Sequence, residues 1–441
     1  MIIKNRSTLG WILYDFANSS FATIVLAVIF NQYYAEVIAG GKEGIEINTP
    51  LFKLHFEGAV LWSYLVAFST AIVAITSPLL GAMADQAHRR KRMLLVYCYL
   101  GVAGTICLSF ANSGDILFAS FFFILANLGF AGGNVFYNAF LLDVSSRKSF
   151  GMISGLSWGL GYLGGGLCLL LNLIMLKNPQ LLGFPEGYFT VGDCMIVAGI
   201  WWGVFAIPTM IWLKDKPVVN PVLSLRKLTR VGWERIGNTI REIRKYKQLV
   251  RFLIAYLIFN DGIETIIIMA SIFGAQVVGL ETKELITFFI IIQATGFVGS
   301  LLIGWISDKI GNKRTLLISL SVWLVIVAWA YKIGWLFDAR QDFLIIGILT
   351  GFVMGGSQTV SRAMQAAFTP KDRSAEFFGF YAVSGRFASV LGPLVYGTVI
   401  MLTGGVQKAI LSIGAFFLIG GIVLWFVDEK EGIRENSVGL E

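Results

Sequence analysis

The sequence predicts an all-α membrane protein with twelve transmembrane helices in two pseudo-symmetric six-helix bundles, on the grounds of composition and internal repetition. The 441 residues are 56% hydrophobic and 14% charged, whereas a soluble protein of this size carries about 25% charged residues. One aqueous core cannot bury so much apolar surface, so most of it must face lipid. A motif of glycine, aspartate four residues later and a basic cluster follows two apolar runs, at 81–92 and 304–314. The repeat indicates two homologous halves.

The apolar runs give the order of the helices. A helix needs about 20 apolar residues to cross the hydrocarbon core. By this measure the predicted spans, numbered 1 to 12 below, are 9–38, 58–84, 93–112, 116–141, 150–176, 193–213, 251–275, 284–306, 315–333, 342–368, 376–401 and 408–427. An even number of spans places both termini on the same side of the membrane.

The connections between the spans differ in basic content, and this predicts their side. One set of connections contains 26 Lys and Arg residues, and the opposite set contains 7. Because cytoplasmic connections are enriched in Lys and Arg, both termini are predicted to be cytoplasmic. We expect an N-terminal bundle over 1–213, a cytoplasmic linker over 214–250, a C-terminal bundle over 251–427 and a cytoplasmic tail over 428–441.

Apolar residues recur at helical spacing within the basic linker. Ile236, Ile240, Ile243 and Val250 are separated by polar positions that include Arg and Lys. This pattern fits an amphipathic helix on the inner leaflet. It fits a solvated linker that only obeys the positive-inside rule at least as well, and no partner follows from either interpretation.

The two halves match beyond the opening motif. Positions in span 1 have counterparts in span 7, and positions in spans 4 and 5 have counterparts in spans 10 and 11 at a common spacing of 228 residues. The matched pairs are Asp15 with Asp261, Asn18 with Glu264, Gly151 with Gly379, Gly164 with Gly392, and Asn134 with Arg362. Together they predict two six-helix halves related by a pseudo-two-fold axis along the membrane normal.

A segment of span 1 carries a more specific resemblance. The doubled motif, twelve spans and long central linker resemble the major facilitator superfamily along the whole chain. Residues 14–23, Tyr-Asp-Phe-Ala-Asn-Ser-Ser-Phe-Ala-Thr, together with 260–265, resemble the branch named after the yeast autophagy-related vacuolar amino-acid effluxer and its bacterial relatives. The resemblance implies the major facilitator fold, alternating access and, within this branch, amino-acid substrates.

Five ionisable residues fall within the predicted spans: Asp15, Asp261, Glu264, Arg362 and Arg386. Each would cost about 3 kcal/mol at the bilayer centre, so we expect them to face the protein interior. The three carboxylates are candidates for solute binding or proton exchange, because a buried carboxylate has a raised affinity for a proton. The alternative is a structural hydrogen bond or a helix cap.

Two arginines and several neutral residues complete the candidate site. Arg386 could bind a substrate carboxylate or phosphate in a bidentate manner, or form a permanent ion pair. Arg362 lies nearer the cytoplasmic end and favours a role in gate structure. The neutral candidates are Asn18, Asn134, Asn138 and Gln358. These side chains could line a cavity or form interhelical hydrogen bonds.

The repeated motif is predicted to form a gate at the cytoplasmic face. In the superfamily this motif latches the two halves together when the carrier opens outward, and the resemblance implies that role for the matching residues here. They are Gly81, Asp85, Arg89 and Arg90 in the first copy and Gly304, Asp308, Lys313 and Arg314 in the second. Asp143 is the candidate partner of the first basic cluster. Asn312 replaces Arg89 in the second copy, which predicts a weaker charge network; a pure topology signal is the alternative.

These features predict a monomeric secondary transporter that moves a small polar solute, such as an amino acid or related zwitterion, by alternating access. Proton coupling is expected, with sodium as the other option. The alternatives are a carrier of organic anions or amphiphiles such as lysolipids, and a transporter-like receptor or scaffold. The expected partners are the solute and the bilayer, in the bacterial cytoplasmic membrane. We expect no enzyme activity, nucleic acid, cofactor or metal, because the four Cys lie in apolar runs and both His in loops.

Overall fold

The computed structural model describes residues 5–41, 43–48, 53–56, 58–215, 230, 233–234, 237–238, 241, 243–280, 282–387, 391–403 and 406–435. Eleven helices in these ranges are long and apolar enough to cross a membrane, and they match spans 1 to 10 and span 12. In span 11 the described helical segments are Ser374–Phe387 and Leu391–Thr403. Residues 388–390 between them lie outside the described part.

The helices of the spans follow the predicted order. Span 1 is Arg6–Ser20 continued by Phe21–Val28, Phe30–Tyr33 and Tyr34–Ile38. Spans 2 to 6 are Gly58–Ala87, Arg90–Cys107, Ile116–Ala139, Phe150–Lys177 and Val191–Phe205 with Ile207–Trp212. Spans 7 to 10 and 12 are Lys247–Gln276, Thr282–Ile310, Asn312–Tyr331, Ala339–Phe368 and Val406–Trp425. Short helical turns occur at Leu108–Phe110, Leu141–Val144, Arg147–Ser149, Pro179–Leu182, Ile243–Tyr246 and Lys371–Arg373, and a C-terminal helix at Glu429–Glu435.

Span 1 is not a uniform α-helix. Phe21–Val28 and Tyr34–Ile38 have π-helical hydrogen bonding. π-Helical segments within α-helices are rare and often lie near functional sites. The first of them begins at Phe21, within the segment 14–23 that contains Asp15 and Asn18.

A small β-hairpin follows span 1, where the sequence predicted only a loop. Strands Ile45–Asn48 and Lys53–Phe56 pair in antiparallel fashion, with Ile45 opposite Phe56. Ile45 and Ile47 alternate with polar residues, and this period of two suits a strand. Each strand has only four residues, so the alternation is too short to indicate a hairpin by itself.

Contacts divide the chain into two packed units. The first comprises Met1–Thr76, His88–Tyr137 and Leu160–Val218, and the second comprises Ser77–Ala87, Asn138–Gly159 and Val219–Glu441. The second unit thus contains one end of spans 2, 4 and 5 packed with spans 7 to 12. Most of the linker 214–250, with its predicted amphipathic helix, and tail residues 436–441 lie outside the described part.

Glycines permit close helix packing within each unit. In the first unit, a Cβ atom on Gly129 would collide with the backbone of Gly101. In the second, a Cβ on Gly355 would collide with the carbonyl of Gly296. Small residues at such positions let backbones approach, which drives helix association in lipid.

Candidate transport site and gate

Asp15 lies on the face of span 1 that packs against span 5, within the first unit. Its side chain is buried, with 8% of its surface exposed. A Cβ on Gly161 of span 5 would lie 3.3 Å from the Cβ of Asp15, and one on Gly164 would collide with the carbonyl of Phe16. The glycines of span 5 therefore allow span 1 to carry a polar residue at a tight helix contact, away from lipid.

Asn18, one turn beyond Asp15, reaches span 4. Its Nδ2 donates a hydrogen bond to Oδ1 of Asn134 at 2.9 Å. Asn18 is buried and Asn134 is half-buried. Of the two roles expected for these amides, the interhelical hydrogen bond is formed, and it ties span 1 to span 4 beside Asp15.

Asp261 occupies the corresponding position in the second unit, on span 7, and is fully buried. Its Oδ1 accepts a hydrogen bond from the backbone N–H of Gly392 at 2.8 Å, in the segment Leu391–Thr403 of span 11. Its Oδ2 is buried and has no hydrogen-bond partner among the described residues. One carboxylate oxygen of Asp261 therefore joins span 7 to span 11.

The glycine at position 392 makes this contact possible. A Cβ on residue 392 would collide with Oγ1 of Thr265, so only glycine admits the carboxylate. Pro393, the next residue, has no N–H to donate.

The remaining candidates of spans 7, 10 and 11 are close along their helices to these residues. Glu264 lies three residues after Asp261 and is half-buried, and Gln358 is half-buried four residues before Arg362. Arg386 belongs to the first helix of span 11, and its side chain lies outside the described part. Binding roles for these residues stay predictions.

Arg362 of span 10 is buried in the second unit, with 2% of its surface exposed. Its Nε donates to Oγ of Ser154, and Nη2 donates to the Ser154 carbonyl, both at 2.8 Å. Nη1 donates to Oδ1 of Asn138 at 3.3 Å, and the guanidinium lies over the ring of Trp158 at 5.1 Å. These contacts join span 10 to spans 4 and 5. The gate role of Arg362 stays a prediction.

The two aspartates of the repeated motif cap helices of the opposite half, inside the second unit. Asp85 accepts hydrogen bonds from the N–H groups of Ala375 and Glu376 at 3.2 and 3.0 Å. Asp308 accepts them from Gly151 and Met152, both at 2.8 Å. Carboxylates at helix N-termini satisfy orphan N–H groups and complement the helix dipole. Each copy therefore binds the first turn of span 11 or span 5.

Glycines bring these helices close enough for the caps to form. A Cβ on Gly81 would collide with the backbone of Ala375, and one on Gly379 would lie 2.7 Å from Pro78. A Cβ on Gly151 would collide with the carbonyl of Gly304. The glycines that the repeat paired along the sequence thus line two equivalent helix crossings.

The basic residues of the motif have different surroundings in the two copies. Lys313 donates from Nζ to the carbonyl of Trp425 at 2.7 Å, and Asn312 donates from Nδ2 to Glu429 at 2.9 Å. Asn312, which stands where the first copy has Arg89, thus contacts the C-terminal helix Glu429–Glu435. Arg90 is buried, Arg89 is half-buried, and Arg314 and Asp143 are exposed. The predicted pairing of Asp143 with the first basic cluster stays a prediction.

Just after its last span, each half also has a carboxylate that the sequence analysis did not single out. Asp215, just after span 6, accepts a hydrogen bond from the Lys91 N–H at 2.7 Å. Burial raises the pKa of the Asp215 carboxyl, and backbone hydrogen bonds from Lys91 and Arg92 partly oppose the rise. Glu429, just after span 12, accepts from the N–H of Lys313 at 3.0 Å. The signal was available: an acidic residue follows the last span of both halves.

Other residues were missed because no pattern marks them. Ser154 binds Arg362 with both its side chain and its carbonyl, yet it is one serine among many. Asp342 and Glu376 are fully buried although they lie near helix ends. Glu376 forms an ion pair with Arg373 at 2.8 Å. Such roles depend on which helix lies opposite, and spacing along the sequence does not give that.

Chemically, the candidate groups of the two units are carboxylates, amides and a guanidinium. Within the described ranges there is no cluster of three or more His, Cys, Asp or Glu residues that could hold a metal ion. Buried carboxylates, a buried guanidinium and helix caps that can be made or broken are what a carrier needs. The membrane-spanning helices and these groups define a multi-pass membrane transporter.

Comparisons with known proteins agree with that class. A family model described as vacuole effluxer Atg22 like matches residues 4–150 and 143–437. The MFS-type transporter YxiO of Bacillus subtilis (strain 168) is 30% identical over 430 residues, which cover 96% of this chain and 94% of the relative. Autophagy-related protein 22 of Pichia angusta is 23% identical over 88% of this chain and 79% of its own length. The chain belongs to the Atg22-like family of the major facilitator superfamily.

Solved structures show the same fold. The human organic anion transporter MFSD10 superposes with a TM-score of 0.68 at 18% identity, over 95% of this chain and 99% of that one. The proton:xylose symporter XylE superposes with a TM-score of 0.70 at 12% identity, over 99% and 98% of the two chains. The predicted major facilitator fold and the predicted family are both confirmed.

Proposed function

We propose that this protein is a proton-coupled secondary transporter of amino acids or related zwitterions that works by alternating access. The observation that carries the proposal is the fully buried Asp261, with one oxygen bonded to Gly392 and the other without a partner among the described residues. An intramembrane carboxylate of this kind is expensive to bury and typical of proton relays. XylE, a fold neighbour, is a proton symporter.

The chemistry of the buried groups supports a zwitterionic substrate. Within the second unit, the carboxylate of Asp261 matches the charge of an ammonium group, and the guanidinium of Arg362 matches that of a carboxylate. Asp15 is a buried carboxylate of the first unit. The family description names a vacuole effluxer, so transport of a metabolite across a membrane agrees with that description. Arg386 and Glu264 are the further residues assigned here to solute or proton binding.

Alternating access requires contacts that break and reform. The caps made by Asp85 and Asp308 are hydrogen bonds between helix ends, which can be exchanged for water when the helices separate. We assign gating to these two aspartates and a supporting contact to Arg362. The protein is proposed to work as a monomer in a bacterial cytoplasmic membrane, with cytoplasmic termini and no enzymatic activity.

A second candidate is a carrier of organic anions or amphiphiles. An apolar cavity of about 50 Å³ lies in the second unit between spans 7 to 12. Its lining includes Phe273, Phe288 and Phe343, with Thr350 and Tyr396 as polar residues. The cavity could accept an apolar tail, and MFSD10 transports organic anions. A transporter-like receptor or scaffold would bind such ligands without moving them.

The proposed function is tested in two stages. A thermal-shift panel of amino acids, nucleosides, organic acids and lysolipids identifies the ligand class of the purified protein. Counterflow in proteoliposomes then separates transport from binding alone. Stabilisation by lysolipids but not amino acids would favour the second candidate, and binding without counterflow would identify a receptor.

Proton coupling is tested with Asp261→Asn. The variant removes the titratable group, so we expect loss of uptake driven by a pH gradient while counterflow of the same solute persists. Asp115→Asn, at an exposed carboxylate in the loop between spans 3 and 4, is the matched control. If Asp261→Asn keeps its response to the gradient, the coupling assignment is wrong.

A further inference from the structure

We propose that the C-terminal helix Glu429–Glu435 is a strap that ties together the predicted cytoplasmic ends of spans 7, 9 and 10. While the strap is docked these ends move as one, and once it is released they move separately. Span 7 carries Asp261 and span 10 carries Arg362, so the strap joins two helices with candidate transport residues. The inference goes beyond the proposed function, because it concerns motion of the second unit and needs no knowledge of the solute.

The first contact of the strap is with the start of span 9. The two carboxylate oxygens of Glu429 accept hydrogen bonds from the backbone N–H groups of Asn312 and Lys313, both at 3.0 Å. Span 9 begins at Asn312, and N–H groups of a first helical turn have no acceptor within their own helix. Gly311 has a φ of +93°, which favours glycine, and a Cβ there would lie 3.1 Å from the Glu429 carboxylate. Glu429 therefore caps span 9.

The second contact is with the start of span 7, at the other end of the strap. Oε2 of Glu435 accepts a hydrogen bond from the backbone N–H of Gln248 at 3.0 Å. Oε1 of Gln248 in turn accepts one from the N–H of Asp428, the residue before the strap, at 2.9 Å. Span 7 begins at Lys247, so Glu435 also binds the first turn of a long helix. Two carboxylates of one short helix thus cap two membrane-spanning helices.

The third contact is apolar and lies at the end of span 10. Gly432, in the middle of the strap, packs on Phe368, and a Cβ on Gly432 would lie 2.6 Å from that ring. Phe368 is buried and packs edge-to-face on Phe252 of span 7, with 6.0 Å between the ring centroids. A ring in such close packing has little room to yield. A side chain at position 432 would therefore lift the strap from its seat.

The strap itself has little buried surface. Of its seven residues only Gly432 is buried, and three are exposed. A segment with few buried apolar contacts opens locally at a lower cost than the helices that it caps. Docking of the strap therefore depends on the three contacts acting together, and the loss of any one of them should loosen the other two.

Three variants probe the strap by hydrogen–deuterium exchange on the full chain in nanodiscs. Glu429→Ala removes the carboxylate at span 9, and Glu435→Ala removes the carboxylate at span 7. Gly432→Ala keeps both carboxylates and instead adds a methyl group that collides with Phe368. Glu431→Ala is the matched control, because this glutamate belongs to the same helix and is exposed.

The expected result is a joint loss of protection. In each of the three variants, the backbone amides of 248–249 and of 312–313 should both exchange about fivefold faster than in the wild type, the effect of a lost helix cap. Gly432→Ala is the sharpest case, because alanine raises helix propensity and removes no hydrogen-bonding group. Faster exchange there requires displacement of the strap. Glu431→Ala should match the wild type, and the amide of Lys91 at the start of span 3 in the first unit should not change in any variant.

Independent behaviour of the two capped ends would overturn the strap. Such results are faster exchange at 312–313 alone in Glu429→Ala, at 248–249 alone in Glu435→Ala, or no change in Gly432→Ala. If the variants do not fold, the wild type decides: exchange at both ends and across the strap should share one temperature dependence, as in a single cooperative unit, and different dependences would refute the proposal. None of these outcomes depends on transport, so the proposed function stands or fails separately.

Discussion

Asp15 with span 5 and Asp261 with span 11 are two versions of one repeated helix contact. Both aspartates are buried, and both face a glycine-rich helix at matching positions. Span 5 has Gly165 where span 11 has Pro393. In the second unit the carboxylate of Asp261 accepts the N–H of Gly392, whereas in the first unit Asp15 packs against Gly161 of span 5.

The difference shows how a duplicated structure can acquire distinct roles. A single proline changes the hydrogen-bond requirement of the helix opposite the carboxylate. The matched residues Asn18 and Glu264 also differ in charge. The residue of the first unit is a neutral amide bonded to Asn134, and the residue of the second unit is an acid. The first unit is the better candidate for fixed packing, and the second for a group that changes protonation.

The largest expected effect is that of Gly392→Ala. Its added methyl group would collide with Thr265 and displace the Asp261 carboxylate, which should cost about 3 kcal/mol, the upper end for overpacking. Gly166→Ala is the matched control in span 5, because nothing lies within 4 Å of its Cβ. Apparent melting temperatures in detergent check both, and equal shifts would remove the argument for a tight contact.

Asp261→Ala should have the next largest effect. It leaves the buried Gly392 N–H without its acceptor, at a cost of about 2 kcal/mol. Thermal unfolding in detergent measures the loss, with Asp115→Ala, at an exposed carboxylate, as the control. Equal shifts in the two variants would show that the contact with Gly392 adds no stability.

Removing either motif aspartate of the gate should destabilise the protein by a similar amount, whereas the matched residues Asp15 and Asp261 should differ in effect. Asp85→Ala and Asp308→Ala each remove a carboxylate that accepts two N–H groups, so each should cost about 1 kcal/mol, as for other helix caps. Cysteine accessibility at the predicted cytoplasmic ends should rise in both. A large effect in one variant only would show that the copies are not equivalent.

The smallest effect is expected at Asn134→Ala. It breaks the hydrogen bond to Asn18 between spans 1 and 4, and such bonds within membranes contribute about 0.6 kcal/mol. Thermal unfolding should therefore change little. A loss of transport with intact folding would instead show that the amide binds solute. The first unit would then have a binding role and not only a packing role.

Much of the fold followed from the sequence, because lipid imposes long apolar helices and the repeat paired the halves. The ionisable residues within the spans were found for the same reason: an exposed charge in lipid is too costly. Burial of Asp15, Asp261 and Arg362 bears out that expectation. The glycines at the helix crossings were visible as a repeat, although their partners were not.

The sequence by itself determined the membrane class, the order of the spans and the internal duplication, since composition and period act locally along the chain. Only the tertiary structure decided that Asp261 bonds to Gly392, that Ser154 holds Arg362, and that the motif aspartates cap helices of the opposite half. Each of these contacts joins residues more than 100 positions apart. Helix packing, which no local pattern encodes, brings them together.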